Sequence, residues 1–369
     1  MRNLIILFLS LNGLFSLSQK VMPLVDFNNW FKSFENGAFK QLDFQPIKEF
    51  KAGDDLVGYI DVRGNLRVYD GESIKDLSNV NVEYIVSDHL LTWKIGETLN
   101  LWDQGELKTL SYRCGNYTVR DSIVVFQDTR FNTLNVYYEG DVTVLTTSIE
   151  GPKFADFVGE NIIAYRDNGD LYKVFWQGDI YELDAWQGQI HFEGGTDILA
   201  FNDPITGTFA IFESGQFLDL EEFHMNRFKA GRGFIVYENQ NNDLLYYKDG
   251  EISTISNFGA SSWQVVDDVL FWKENGISYG YQNGQKYELA RFNIEEVQLK
   301  NNVIAFRNVM GGVDALMAGK LINITNQTDS KFSIHGDKVL VELFNRSYIV
   351  QTDNKSYTCL LYTSPSPRD

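Results

Sequence analysis

The chain has 369 residues, of which 44% are hydrophobic and 14% aromatic, with two cysteines and a formal net charge of −18. Nucleic acids and anionic lipid surfaces attract positive protein surface, so this charge argues against both as partners. One of the two cysteines, Cys359, belongs to an atypical C-terminal tail, which leaves Cys114 without a disulfide partner. The fold must therefore be held together by its apolar core.

The N-terminus has the profile of a secretory signal peptide. Arg2 precedes an apolar run, and Ser16 and Ser18 stand at positions −3 and −1 of a cleavage site before Gln19. The apolar run is short for a membrane span, and the alternative interpretation is a buried N-terminal strand or helix. We predict a signal peptide at 1–18, no transmembrane segment in the mature chain, and export to the periplasm, the cell surface or the extracellular space.

A repeat of about 35 residues follows the signal peptide. Its marker is a glycine that recurs at intervals of 34 to 38 residues. Several markers stand in Asn-Gly or Asp-Gly pairs, which predict two-residue hairpin turns because those turns need positive φ. The markers are Gly37, Gly71, Gly105, Gly140, Gly178, Gly215, Gly250, Gly284 and Gly319, with Asn354 in the tenth place. Asn tolerates positive φ better than most residues, so Asn354 is expected to act as a marker too.

Each unit also contains an aromatic residue twelve to fourteen positions before its marker. This residue closes a short apolar run such as Ile162–Tyr165, and such runs bounded by turn residues predict strands buried on both faces. The aromatic residues are Tyr59, Trp93, Phe126, Tyr165, Phe201, Tyr237, Trp272 and Phe306. Each unit therefore predicts four short strands, and no helical period follows the signal peptide.

A four-stranded meander repeated this many times resembles the blade of a β-propeller, in which twisted sheets pack face to face around an axis. The resemblance covers residues 23–358 and concerns the architecture alone, because the marks of WD40 and kelch repeats are absent. It implies an all-β, propeller-like array of about ten four-stranded units. One large ring, two smaller rings and an open array of the YD type all fit this pattern.

The last eleven residues, 359–369, break the β pattern. They resemble one reading frame of a transposase sequencing adapter, and the alternative is a native flexible tail. We therefore expect a signal peptide at 1–18, a propeller-like repeat domain at 19–358 that is truncated at its C-terminus, and a non-native tail at 359–369.

An acidic or amide residue recurs two positions after the core aromatic residue. Carboxylates that repeat with the unit are poor candidates for glycoside hydrolysis, which needs a few unique ones, so they favour a role as turn caps. These residues are Asp61, Asp128, Asp167, Asp203, Asn239, Glu274 and Asn308.

Metal and catalytic motifs are missing from the sequence. The four histidines are far apart without metal-ligand spacing, and the loop 167–170 lacks the ligand order of an EF-hand. No phosphate-binding loop and no nucleophile elbow occurs. We predict no catalytic, cofactor-binding or metal-binding residues, and we predict that Cys114 is a small buried residue.

Residues that interrupt the repeat are better candidates for binding than residues that form it, since loops on a rigid scaffold often carry binding residues. Two intervals are longer than the others, with extra residues around 150–153 and around Trp186. The segment 223–227 also holds side chains that sister units lack. We predict Trp186, His224 and Arg227 as binding residues.

The sequence as a whole favours an exported, non-enzymatic binding or scaffold protein that contacts a protein or a glycan through blade loops and uses no cofactor. One alternative is a glycoside hydrolase or lyase with its site in the pore of the ring. Unique carboxylates or histidines converging in the pore would favour that enzyme. Another alternative is a fragment of a larger adhesin-type repeat protein. The oligomeric state is left open.

Overall fold

The structure, a computed structural model, describes residues 21–183 and 188–359. The predicted signal peptide and residues 360–369 of the predicted tail lie outside the described residues. All regular structure in the described part of the chain is β, arranged as ten separate antiparallel sheets in chain order. Consecutive strands pair within each sheet, so each sheet is a meander, and we call the sheets blades 1 to 10.

Blade 1 contains three described strands, and blades 2 to 5 contain four each. Blade 1 holds β1 (Met22–Val25), β2 (Phe31–Glu35) and β3 (Ala38–Asp43). Blade 2 holds β4 (Glu49–Ala52), β5 (Val57–Ile60), β6 (Leu66–Tyr69) and β7 (Ile74–Ser78). Blade 3 holds β8 (Tyr84–Val86), β9 (Leu90–Ile95), β10 (Thr98–Asp103) and β11 (Glu106–Ser111). Blade 4 holds β12 (Cys114–Arg120), β13 (Ile123–Asp128), β14 (Thr133–Tyr138) and β15 (Asp141–Thr147). Blade 5 holds β16 (Phe157–Val158), β17 (Ile162–Arg166), β18 (Tyr172–Trp176) and β19 (Asp179–Glu182).

Blades 6 to 10 repeat the four-stranded form. Blade 6 holds β20 (Phe192–Gly194), β21 (Ile198–Asn202), β22 (Phe209–Glu213) and β23 (Gln216–Glu221). Blade 7 holds β24 (Phe228–Gly231), β25 (Phe234–Glu238), β26 (Leu244–Lys248) and β27 (Glu251–Ser256). Blade 8 holds β28 (Ser262–Val266), β29 (Val269–Glu274), β30 (Ile277–Gln282) and β31 (Gln285–Ala290). Blade 9 holds β32 (Val297–Lys300), β33 (Val303–Arg307), β34 (Val313–Met317) and β35 (Lys320–Thr325). Blade 10 holds β36 (Lys331–His335), β37 (Lys338–Glu342), β38 (Tyr348–Gln351) and β39 (Ser356–Cys359).

The first strand of each four-stranded blade lies innermost, because first strands of neighbouring blades contact one another. We name the four positions A, B, C and D from the axis outward. The glycine marker Gly37 falls between β2 and β3, which places the three described strands of blade 1 at positions B, C and D. The other nine blades confirm the predicted four strands, and within the described residues blade 1 lacks a strand at position A.

The blades close into one ring. Ten apolar clusters lie between successive sheets, and each draws its residues from two neighbouring blades. The closing cluster joins Leu24 and Phe34 of blade 1 to Leu340 and Val350 of blade 10. Tyr348 of blade 10 also donates its hydroxyl proton to the carbonyl oxygen of Val25, at 2.6 Å. The ten-bladed ring is thus the arrangement that the sequence adopts among the three that fitted its repeat.

The hairpins between C and D strands confirm the predicted turn chemistry. All nine marker glycines have φ between +75° and +97°. The residue before the glycine also has positive φ in most units, as at Asn36, Asp249 and Asn283, and two such residues in succession define the type I′ turn. The tenth marker is wrong, because Asn354 is absent from the positive-φ residues and lies in a longer turn that Thr352 and Lys355 close by a backbone hydrogen bond of 2.9 Å.

The predicted core aromatic residues are confirmed as core. Tyr165 is fully buried in the cluster between blades 4 and 5, beside Val125 and Val136. Cys114 is likewise buried, in the cluster between blades 3 and 4. Burial of one large side chain stabilises a fold by about 1.5–3 kcal/mol, and each blade interface contains several. The core therefore holds the ring without a disulfide, as the cysteine count requires.

Candidate functional site

The alternating strand directions give the ring two unlike ends. B–C turns and D–A connections emerge at one end, which we call the loop face, while A–B and C–D turns emerge at the other, which we call the turn face. The B–C turns comprise 26–30, 61–65, 96–97, 129–132, 167–171, 203–208, 239–243, 275–276, 308–312 and 343–347. The D–A connections comprise 44–48, 79–83, 112–113, 148–156, 222–227, 257–261, 291–296, 326–330 and the described part of the connection before β20.

Most B–C turns are shaped by one carboxylate or amide side chain. In blade 2, Asp61 Oδ1 accepts hydrogen bonds from the backbone N–H groups of Arg63 and Asn65, each at 2.9 Å. The same pattern occurs at Asp128, Asp167, Asp203, Asn239 and Asn308. These residues are turn caps, as predicted, because their oxygens satisfy backbone donors that the turn would otherwise leave free.

Glu274 departs from this pattern. Its Oε2 accepts a hydrogen bond from Trp272 Nε1 at 3.1 Å, inside the same strand. The B–C turn of blade 8 consists only of Asn275 and Gly276, and both have positive φ. The carboxylate accepts from the Trp272 indole rather than from a backbone N–H of this turn, so the prediction of a capping role for Glu274 is wrong.

The loop face displays many large apolar side chains. They include Trp30, Phe44, Val62, Val80, Ile95, Tyr112, Phe131, Ile149, Leu171, Ile205, Phe223, Phe258, Val309, Met310 and Phe344. The other exposed apolar residues of the described chain lie on D strands at the outer edge, apart from Ile85 on the channel wall. Within 21–183 and 188–359, no large apolar residue is exposed in an A–B or C–D turn.

Exposed charges are distributed differently at the two ends. Exposed cations on the loop face are Lys48, Arg63, Arg113, Arg130, Lys153, Arg227, Arg291 and Arg346. Some sit beside the apolar side chains, and the guanidinium of Arg130 lies 5.0 Å from the ring centroid of Phe131. The C–D turns and their flanks instead carry Glu35, Asp70, Glu72, Asp103, Glu106, Glu139, Asp141, Asp179, Glu213, Asp249, Glu251 and Asp353. The loop face also carries exposed carboxylates, at Glu83, Glu97, Glu150, Asp170, Glu222, Glu295, Glu296 and Asp329. It thus mixes aromatic, aliphatic and charged groups of both signs, while the C–D turns are predominantly acidic.

The predicted binding residues lie on the loop face where the structure describes them. Trp186 lies outside the described residues. His224 and Arg227 both belong to the D–A connection between blades 6 and 7. His224 Nε2 is 2.9 Å from the carbonyl oxygen of Asp203, so this side chain ties the connection to the neighbouring B–C turn.

Arg227 forms the wall of a small pocket of about 210 Å³ beside the A strands of blades 6, 7 and 8. Its guanidinium lies 5.2 Å from the ring centroid of Trp263, and its Nη1 bonds both carboxylate oxygens of Glu238, at 2.8 and 3.0 Å. Trp263 Nε1 donates to the same carboxylate at 2.7 Å. Lys229 pairs with Glu193 on the opposite side of the pocket. Arg227 is therefore held rigidly, with about half of its side chain exposed.

A larger pocket, of about 810 Å³, opens at the same end of the channel between blades 2, 3 and 4. Lys51 Nζ donates to the carbonyl oxygen of Tyr84 at 2.7 Å, and Ile85 and Tyr117 provide apolar surface. The repeat pattern did not single out this pocket, because its lining combines Tyr84 and Tyr117, at a recurring aromatic position of the repeat, with residues of the D–A connections.

The opposite end of the channel is closed by charged side chains from A–B turns. Lys300 Nζ of blade 9 lies 2.8 Å from Asp54 Oδ1 of blade 2 and 3.1 Å from Asp88 Oδ1 of blade 3. Asn301 Nδ2 donates to Asp54 Oδ2 at 2.8 Å. These blades are not neighbours in the ring, so the contacts span its axis. We call this set of A–B turn residues the axial lock.

Arg232 of blade 7 forms the second centre of the axial lock. Its Nη1 lies 2.7 Å from Asp268 of blade 8 and its Nε 3.7 Å from Glu160 of blade 5. Its Nη2 lies 3.4 Å from Asn301 Oδ1 of blade 9. Burial raises the pKa of Glu160 to about 7, although the hydroxyl of Thr196 donates to its carboxylate.

His89 forms the third centre of the axial lock. Its Nδ1 lies 2.6 Å from Asp55 Oδ2 of blade 2, and its Nε2 lies 3.4 Å from Asp121 Oδ1 of blade 4. The hydrogen bond with Asp55 raises the pKa of His89 to about 9. Burial raises the pKa of Asp88 and of Asp121. No local sequence pattern indicates this cluster, because its members are separated by whole blades.

The chemistry available at the axial lock is ion pairing. Unique carboxylates and a histidine do converge at the channel end, but those named above are bound to a cation or to a hydrogen-bond donor. In the loop 167–170, Asp167 caps its turn and Asp170 pairs with Lys153 at 2.5 Å. Across the part of the chain that the structure describes, no three His, Cys, Asp or Glu residues are grouped so that they could hold a metal ion. No helix in that part could span a membrane.

The ring geometry agrees with a match between residues 15–357 and the family described as the 10-bladed beta propeller domain. The chain belongs to this family. Among solved structures, the ten-bladed propeller is similar to the computationally designed Ika8 protein, at 15% identity and a TM-score of 0.35, over 70% of this chain and 92% of that one. It is also similar to the tricorn protease, at 10% identity and a TM-score of 0.31, over 90% of this chain and 46% of that one.

A third similar structure is Hsv2 from Kluyvelomyces marxianus, at 11% identity and a TM-score of 0.31, over 62% of this chain and 91% of that one. No curated protein matches the chain. At these identities and TM-scores, the likeness to solved structures adds nothing to the family assignment, and function has to be argued from the residues of the propeller itself.

Proposed function

We propose that this ten-bladed propeller is an exported, non-enzymatic binding protein that presents its loop face to a protein partner. The observation that carries the proposal is the unequal distribution of exposed apolar side chains, which crowd the loop face and are missing from the described turns of the turn face. Export rests on the signal-peptide profile of residues 1–18.

The composition of the loop face suits a protein partner. Protein interfaces are enriched in aromatic residues and arginine, and single large side chains at their centre contribute most of the binding energy. Tyr112 with Arg113, Phe131 with Arg130, and Phe344 with Arg346 provide this pairing around the ring. Glycan sites, in contrast, are usually concave, and these side chains stand on the tips of separate turns.

The acidic turn face supports the same orientation. Its carboxylates remain well hydrated in water, and they repel acidic surfaces over a distance of about 8–10 Å at physiological ionic strength. A partner that carries a negative charge is therefore kept away from the turn face, whereas the loop face offers apolar groups and charges of both signs.

Site-specific photo-crosslinking tests the proposal. A photoreactive amino acid is placed at Phe131 or Phe344 on the loop face and, as matched controls, at Leu107 or Leu321, which are equally exposed apolar residues on D strands. We expect the loop-face positions to form an adduct of one discrete mass with a protein of the source cells. We expect the D-strand positions to form none.

A competition step makes this experiment decisive. The unlabelled protein should suppress the adduct in a saturable way, whereas a Phe131→Ser/Phe344→Ser double variant should fail to suppress it. Equal adducts from the loop face and the D strands would refute the proposal. Binding of the purified protein to a glycan array, combined with the absence of a protein adduct, would indicate that the loop face binds a glycan instead of a protein.

A further inference from the structure

Among the groups of the axial lock, His89 is the one whose geometry demands a particular protonation state. Both of its ring nitrogens face carboxylate oxygens, one on each neighbouring blade. A neutral imidazole that donates its single N–H to Asp55 turns a lone pair toward Asp121. The imidazolium donates to Asp55 and also forms an ion pair with Asp121. His89 therefore joins blades 2, 3 and 4 only while it is charged.

The surroundings of His89 are rich in carboxylates. Blade 2 contributes Asp54 and Asp55, blade 4 contributes Asp121, and Asp88 precedes His89 in its own turn. The cations that face this group are Lys300 of blade 9, paired with Asp54 and Asp88, and Arg232 of blade 7, which lies within electrostatic range of Asp121. The buried imidazole of His335 in blade 10 also faces Lys300 and Asp54. The four carboxylates outnumber the two permanent cations, so a charged His89 halves the formal excess of negative charge in this group and its deprotonation restores it.

We propose that the axial lock is a pH-operated clasp, which is shut at neutral pH and loosens in alkali when His89 loses its proton and Asp55 and Asp121 lose the cation between them. The raised pKa of His89 agrees with this geometry, since its proton is held well above the ordinary range for histidine. The clasp lies at the end opposite to the proposed binding face, so it goes beyond that function. It would control whether the channel is closed at the turn face.

Close packing of the A–B turns explains why one charge can control the closure. A Cβ atom added to Gly53 of blade 2 would lie 1.9 Å from the carbonyl oxygen of Ser87 in blade 3. The hydroxyl of Ser87 in turn bonds the carbonyl oxygen of Asp121 in blade 4, at 2.5 Å. Because these turns touch through backbone atoms, repulsion among their carboxylates can be relieved only by moving the turns apart.

Hydrogen exchange measured by mass spectrometry tests the clasp in the full chain. Protection is compared between peptides that contain the A–B turns 53–56, 87–89 and 121–122 and peptides that contain the C–D turns 249–250 and 283–284, at pH 6 and pH 9.5. Rates are corrected for the intrinsic pH dependence of exchange. We expect the A–B turns to lose protection by at least about tenfold on alkalinisation, which corresponds to one unit of pKa difference. The C–D turns should keep theirs.

Two variants of His89 give opposite outcomes. His89→Gln should expose the A–B turns at both pH values, whereas His89→Arg, whose guanidinium stays charged and can donate to two carboxylates, should protect them at both. His224→Gln on the loop face is the matched control and should behave like the wild type.

The clasp would be overturned if wild-type A–B turns kept their protection at pH 9.5, or if the same pH step persisted in His89→Gln and His89→Arg. Parallel loss of protection at the C–D turns would equally overturn it, since that pattern indicates unfolding of the whole ring. Should either variant fail to fold, the wild-type comparison between the two sets of turns still decides the matter.

Discussion

Tyr165 and Tyr237 occupy the same position of the repeat, in the B strands of blades 5 and 7, and both are fully buried. Their hydroxyls differ in environment. The Tyr237 hydroxyl donates to Glu221 Oε1 at 2.7 Å, whereas the Tyr165 hydroxyl has no hydrogen-bond partner among the described residues. The repeat therefore requires a large planar side chain at this position, but it does not determine a hydrogen-bond partner for the hydroxyl group.

This difference predicts unequal effects of the same substitution. Tyr237→Phe should lower the free energy of unfolding by about 1.5–3 kcal/mol, because it removes a hydrogen bond to a charged group. Tyr165→Phe should leave it unchanged or raise it, because it removes a buried polar atom that is not bonded. Tyr165→Ala should cost about 3–5 kcal/mol through the cavity it creates. Chemical denaturation of the three variants measures these values, and a large loss in Tyr165→Phe would contradict the contact pattern.

At the scale of the element, one C–D hairpin allows the energetic cost of a left-handed backbone to be measured without a change in side-chain packing. Gly284 has a φ of +75°, and a Cβ added to it would meet nothing within 4 Å. Gly284→Ala should therefore cost about 1–2 kcal/mol from the left-handed backbone alone. Gly169, which lies in a B–C turn and has no positive φ, is the matched control. Equal losses in Gly169→Ala and Gly284→Ala, measured by thermal unfolding, would show that backbone conformation is not the cause.

The same scale shows what the sequence can and cannot predict. The hairpin at Asn283–Gly284 is predictable because its chemistry is local: two residues with positive φ between two strands. The role of Glu274 was misjudged because the turn beside it shrinks to two residues, and turn length is not written in the repeat.

The contacts of the axial lock are even harder to predict from the sequence. Lys300 and Asp88 are 212 residues apart, and Asn301 and Asp54 are 247 apart. Their meeting depends on the number of blades in the ring and on the way its A–B turns crowd the axis, and no local pattern encodes either. Arg227 was found because it interrupts the repeat, whereas His89 was missed because its turn fits the repeat length.

For the whole molecule, ring closure is the feature with the largest energetic consequence. Phe34 of blade 1 packs against Tyr357 of blade 10, with ring centroids 5.1 Å apart. In a closed ring every blade has two neighbours, so damage at this interface should weaken all blades together. In an open array it would only fray the ends.

Phe34→Ala should accordingly lower the free energy of unfolding of the entire ring by about 3–5 kcal/mol. Hydrogen exchange resolved by blade should show the loss in blades 5 and 6 as well as in blades 1 and 10. Phe212→Ala, which empties the cluster between blades 5 and 6, is the matched variant and should give the same global pattern. Loss confined to blades 1 and 10 in Phe34→Ala would indicate an open array instead.

The stability of the whole ring should also depend on pH, and the direction follows from three buried groups. The pKa of Glu160 is raised from 4.5 to about 7, so the stability that it contributes when protonated is lost as pH rises through that range. The pKa of His335 is lowered from 6.5 to about 4, so its contribution is lost as pH falls through nearly the same range. These two slopes oppose each other, and the free energy of unfolding should change little between pH 4.5 and 6.5.

Well above pH 7, once Glu160 has lost its proton, His89 is the group of these three that still titrates. Its pKa is raised from 6.5 to about 9, so its contribution is complete below pH 6.5 and is lost as pH rises to about 9. Because its side chain is partly exposed, we expect a fall of about 1–3 kcal/mol over this interval. Urea denaturation at several pH values measures it. His89→Gln should remove the fall in stability between about pH 8 and pH 9, whereas Glu160→Gln should leave that fall intact. Glu160→Gln should instead remove the part of the fall near pH 7 and reveal the slope of His335 below pH 6.5. A wild-type profile that rises with pH between 6.5 and 9 would contradict the charged state that the two carboxylates around His89 require.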